Sequence, residues 1–197
     1  PAPYFQPLES DLWEHGLLYR HIEIATQSDG AGNVTGSYRY DVEYDKQIRQ
    51  ALTNPEIEKR LADSQLSRDL QGIQIENYSL EDVEDLSKPL RLDFSGQMPD
   101  VVKPAGGGRL KITPILSKSY ASSLVSEPTR ETPIVFDTSP VRNPLSLRYD
   151  VSEYLNQGAA IQLPENTLLL TQYGYYSLFY AWEGNEIVVK RSFLIPT

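Results

Sequence analysis

Cysteine is absent from the 197 residues, methionine occurs once and histidine only twice, at His15 and His21. Without cysteine there is no disulfide framework, no thiolate nucleophile and no cysteine metal site, which leaves both reducing and oxidising compartments open. A nucleophilic serine needs a base within hydrogen-bond reach, usually histidine, and no Gly-x-Ser-x-Gly elbow exposes one. Zinc needs His or Cys ligands at short spacings, and His15 and His21 lack a third partner. Both histidines therefore read as ordinary residues, and no metal or cofactor is expected. Basic charge is also scarce: 18 Lys and Arg stand against 27 Asp and Glu, a net charge of −9. Such a balance opposes a phosphate backbone and excludes nucleic acid as a partner. No apolar run reaches the length of a spanning helix, so no membrane insertion is expected. Pro1 to Ser10 lacks the basic start and apolar stretch of a signal peptide, so the sequence reads as mature or as a piece of a longer chain.

Short alternating segments separated by turn residues are abundant. Leu17 to Thr26 reads as a strand, and from Ser37 to Asp45 Tyr38, Tyr40, Val42 and Tyr44 alternate with charged residues as a second. Ser28-Asp29-Gly30-Ala31-Gly32-Asn33 between them suits a hairpin tip. Asn54-Pro55 starts a helix over about residues 55–70, with Ile57, Leu61 and Leu70 as its apolar stripe and Gly72 as its stop. Ile73 to Tyr78 and Leu90 to Phe94 read as strands again. Met98 to Gly108, with two prolines and three consecutive glycines, reads as a connection. Arg109 to Leu116, Ile134 to Phe136 and Leu145 to Val151 read as strands. The chain closes on a hairpin, Tyr173 to Trp182 and Glu186 to Leu194 about Glu183-Gly184-Asn185. The expected fold is mainly β, antiparallel and sandwich-like, with one helix; α+β is the alternative. The expected division is a half over 1–100, strand-strand-helix-strand-strand, and an antiparallel half over 101–197, as two units or one continuous domain.

Several segments carry residues with chemical potential. Asp29 and Asn33 offer oxygen ligands but lack the spacing of a calcium loop. Gly106-Gly107-Gly108-Arg109 precedes a strand and lacks the Lys-Ser/Thr of a phosphate cradle. Glu81 to Asp85 is the one dense carboxylate cluster, and acid/base hydrolysis there requires its members to share a cleft. Thirteen tyrosines and two tryptophans supply flat rings that stack on sugars, with Tyr173, Tyr175 and Trp182 as the candidate ligand-binding residues of a carbohydrate-binding module.

The segments Ser28-Asp29-Gly30 with Gly36 and Tyr38-Arg39-Tyr40, Leu86 to Phe94, Tyr173-Gly174-Tyr175-Tyr176 and Gly184 to Arg191 resemble the carboxy-terminal region of bacterial transglutaminase-like proteins. In that family a β domain and a papain-like core precede a tail domain of unknown function. The resemblance implies that the catalytic Cys, His and Asp lie upstream and that no catalytic residue falls on this chain. It further implies a periplasmic or exported accessory domain whose partner is its own upstream core or another envelope protein.

Overall fold

The computed structural model describes residues 18–40, 45, 48–50, 52, 55–107, 109–112, 141–142, 144–171 and 174–195. In chain order these form β1 (Leu18–Thr26), β2 (Gly32–Tyr40), α1 (Pro55–Asp69), β3 (Gln74–Glu81), β4 (Leu90–Met98), β5 (Val102–Pro104), β6 (Leu110–Ile112), β7 (Val141–Arg142), β8 (Leu145–Asp150), α2 (Ser152–Asn156), β9 (Thr167–Thr171), β10 (Gly174–Glu183) and β11 (Glu186–Ile195). The mainly β reading holds. The strands follow one path, β3-β4-β2-β1-β8-β11-β10-β9, with β7 pairing the end of β11, while β5 and β6 form a separate ribbon. Every pair on the path is antiparallel except β1 with β8, which is parallel from Arg20↔Leu145 to Ala25↔Asp150. That pair joins an amino-terminal four-strand block to a carboxy-terminal one in a single sheet.

Alternation fixes the faces. In β1, Leu18, Arg20, Ile22, Ile24 and Thr26 are buried while the residues between them are half-buried or exposed. The same face takes Val34, Tyr38 and Tyr40 from β2, Leu90, Leu92 and Phe94 from β4, Leu147 and Tyr149 from β8, and Ile187 and Val189 from β11. We call it the inner face. Helix α1 covers it with Ala62 and Leu66, and Leu70, directly after the helix, continues the spacing of four, about one helical turn. Of the stripe expected from the sequence, Leu70 is buried but Ile57 is exposed, because the helix turns the positions around Leu66 toward the sheet; the Leu61 side chain lies outside the described residues. Burying a leucine such as Leu66 contributes about 1.5–3 kcal/mol.

Other boundaries move for identifiable reasons. Strand β2 ends at Tyr40, and Asp45 is already helical rather than the end of a strand. There Asp45 meets Arg49 one turn later in a buried ion pair of 2.7 Å. The Met98–Gly108 connection contains β5, whose Val102 amide donates to the Gly30 carbonyl at 3.0 Å. At Gly30 φ is +91° and an added Cβ would lie 2.5 Å from the Val102 oxygen, so this tip needs glycine twice over. The buried Tyr154 of α2 donates its hydroxyl to the Gln27 carbonyl at 2.6 Å, tying the carboxy-terminal block to the same hairpin. Val42, Tyr44 and Leu116, and the strand expected over Ile134–Phe136, lie outside the described residues.

Candidate functional site: the β9 edge

Most of the residues that the sequence offered for chemistry have a definite placement. Asp29 Oδ1 accepts the Ala31 amide at 3.0 Å, and Asn33 Oδ1 accepts from Gln27 Nε2 at 3.0 Å, so both candidate calcium ligands close the hairpin tip. Gly106 and Gly107, at φ +79° and +59°, turn the β5-β6 ribbon, with Ala105 N–H donating to the Arg109 carbonyl at 2.8 Å. The acidic run is a braced loop. Arg49 donates to the carbonyls of Asp82, Val83 and Lys88, the last at 2.6 Å, and Lys88 Nζ bridges Asp82 at 3.1 Å and Asp85 at 3.4 Å. Hydrogen bonds from Ser87 lower the Asp85 pKa, opposite to what a general acid needs. His21 lies on the outer face, opposite Ser37 and beside Ser146, and pairs with Glu23 at 3.1 Å. The Ser37 hydroxyl accepts from Arg91 Nε. His15 lies outside the described residues, among which no group of three metal-binding side chains occurs.

The aromatic candidates are not brought together. Strands β10 and β11 pair without a register shift from Tyr175↔Leu194 to Glu183↔Glu186, so Tyr175 and Trp182, of opposite parity, project from opposite faces. Tyr175 is half-buried on the outer face, its hydroxyl 3.1 Å from Ser192 Oγ, and Trp182 is exposed on the inner side beyond Ile187. Tyr173 lies outside the described residues.

What the molecule presents instead is a sheet edge. Strand β9, Thr-Leu-Leu-Leu-Thr, ends the path and pairs only with β10 among the described residues. Leu168, Leu169 and Leu170 are 46 %, 58 % and 66 % exposed. Leu168 and Leu170 project to the outer face, where exposed Phe179 follows Ser177, the cross-strand partner of Leu168; Leu169 projects to the inner face beside Tyr176. Two side chains fix the ends of the strand. Thr171 Oγ1 donates to the Gly174 carbonyl at 3.1 Å, and Asn166 Oδ1 accepts the Tyr180 amide at 2.7 Å where the ladder stops. The opposite edge, β3, is different: Glu76, Asn77, Ser79 and Glu81 are exposed on it, and its register slips between Ile75 and Asn77. Charge and a bulge are the usual means of blocking an edge against added strands. Strand β9 has neither.

Sequence reasoning missed this strand, because three consecutive leucines carry no period of two. The available signal was a run of three leucines framed by threonines, just before the strongest strand pattern in the chain. No protein-family model, no curated protein and no solved structure matches the chain.

Proposed function

We propose that the chain is a non-catalytic interaction domain that docks by strand addition at the β9 edge. One observation carries the reading: an uncharged edge strand exposes three adjacent leucines while the opposite edge is charged and bulged. Strand addition draws affinity from main-chain hydrogen bonds and selectivity from alternate side chains, and β9 offers both. The family resemblance supports an accessory role beside a transglutaminase-like core in an exported protein. Neither a sugar platform nor a carboxylate pair has a comparable observation in its favour.

The test is a Leu/Thr-alternating heptapeptide added to the chain, with amide hydrogen exchange followed by mass spectrometry. Protection is expected over Thr167–Thr171 and none over Gln74–Glu81. Leu169→Lys, at a solvent-facing position, abolishes it. Peptide or glycoside hydrolysis lost on Asp82→Asn or Asp85→Asn, or an absence of peptide protection at millimolar concentration, overturns the reading.

A further inference from the structure

The sequence of the exposed edge reads the same in both directions: Thr167, Leu168, Leu169, Leu170, Thr171. Resting on the docking reading above, we infer that the occupant of the β9 edge is a second copy of this chain, paired antiparallel about Leu169. A two-fold axis through Leu169, normal to the sheet, sets Leu169 against Leu169, Leu168 against Leu170 and Thr167 against Thr171. Every cross-strand pair is then apolar on apolar or hydroxyl on hydroxyl, both favourable combinations. An isologous contact of this kind closes on itself and stops at two copies. It also joins two sheet paths into one, leaving β3 as the edge at both ends.

Charge selects the same surface. Two copies of a chain carrying −9 repel each other, and they meet at least expense where the strand itself has no charged residue. Strand β9 has none, whereas β3 carries Glu76 and Glu81. Side-chain burial extends the contact modestly: Leu168 and Leu170 flank the axis on the outer face, and exposed Phe179 lies diagonally behind Leu168 on β10. A five-residue ladder with these leucines falls at the small end of interface sizes, below about 1,200 Å² in total. The dimer is accordingly concentration-dependent.

The absence of native cysteine permits a register-specific test. Leu169→Cys places a thiol on the axis, Leu168→Cys and Leu170→Cys place them off it, and Ser79→Cys on exposed β3 is the control. In sedimentation equilibrium the unmodified chain is expected to double its mass as concentration rises, and Leu169→Lys to remain monomeric with an unchanged circular dichroism spectrum. Under mild oxidation Leu169→Cys links to itself. Leu168→Cys and Leu170→Cys link to each other when mixed, and Ser79→Cys does not link. A chain monomeric at every concentration whose β9 is still protected by the heptapeptide overturns the second-copy inference while sparing the docking reading. Monomer without peptide protection overturns both. A dimer that survives Leu169→Lys, or that links through Ser79→Cys, also overturns the inference.

Discussion

Within the apolar inner face, Arg20 is 3 % exposed and Asp69, at the end of α1, is 7 % exposed; their side chains meet at 2.9 Å. Across the strands, Tyr38 lies opposite Arg20 on one side and Leu145 on the other, and Arg191 follows beyond Leu145. Burial, followed by the like charge of Arg20, pulls the Arg191 guanidinium down to about 10, and Tyr176 and then Asp69 partly restore it. Asp69 thus pairs with Arg20, lies 3.8 Å from Arg68 and acts on Arg191, so its loss is the more damaging. Breaking a buried pair leaves an uncompensated charge, which costs about 3–5 kcal/mol. Arg20→Met is expected to destabilise the chain within that range in urea denaturation, and Asp69→Asn by more. The double change Arg20→Met with Asp69→Leu recovers part of the loss.

Tyr38 adds a pH dependence. Burial first, and Asp69 second, hold its hydroxyl protonated far above the ordinary value of 10.0. An unfolded chain releases that proton near pH 10 while the fold retains it. The contribution is complete below the unfolded value and is lost as pH rises toward the folded one. Arg191 acts in the opposite sense above pH 10, because there the unfolded chain binds more protons. Tyr38→Phe, which removes only the hydroxyl, is expected to raise the alkaline unfolding midpoint. At neutral pH it changes stability by no more than about 1.5 kcal/mol. Chemical denaturation from pH 7 to 12 measures both.

At the scale of elements, the loop after β3 shows how one side chain holds a segment that has no ladder of its own. Arg49 satisfies three loop carbonyls through one planar group while pairing with Asp45. Lysine offers a point charge and cannot span those acceptors. Arg49→Lys is therefore expected to speed amide exchange across Asp82–Lys88 at least tenfold, with β1 and β2 little changed. Equal exchange in the variant and the unmodified chain contradicts the bracing role. The acidic run looked like a solvated connection in the sequence. The arginine that organises it sits 33 residues upstream of Asp82, and no local pattern reports a partner at that distance.

The same distinction separates legible from illegible elements. Hairpins β1-β2 and β10-β11 were visible because alternation and turn chemistry are local. Helix α1 was visible through Asn54-Pro55. Strand β9 was not, since Leu168–Leu170 has no alternation, and neither was α2, five residues long.

For the whole molecule, the deciding contact is the parallel pair β1 with β8, which puts residues more than a hundred positions apart on neighbouring strands. Composition left open two units meeting near residue 100 or one continuous domain; the sheet path carries strands from both sides of that point, and one core cluster includes Leu66, Leu92, Leu147 and Val189. Parallel pairing is non-local and leaves no turn signal, so the sequence could not show which strands meet at the centre or which are left at the rims. The candidate aromatic site failed to assemble for a related reason. Tyr175 and Trp182 sit on the same strand, but the parity of their positions sends them to opposite faces. The surface that emerges depends on the order of the strands: a charged rim at β3, an apolar one at β9.

The most direct measurement is amide exchange at Thr167–Thr171 as a function of protein concentration and of added strand peptide. Protection that rises over β9 with either, while β3 keeps its exchange rate, is the expected result. Exchange over β9 that is indifferent to both, or protection that gathers on β3, contradicts docking at this edge.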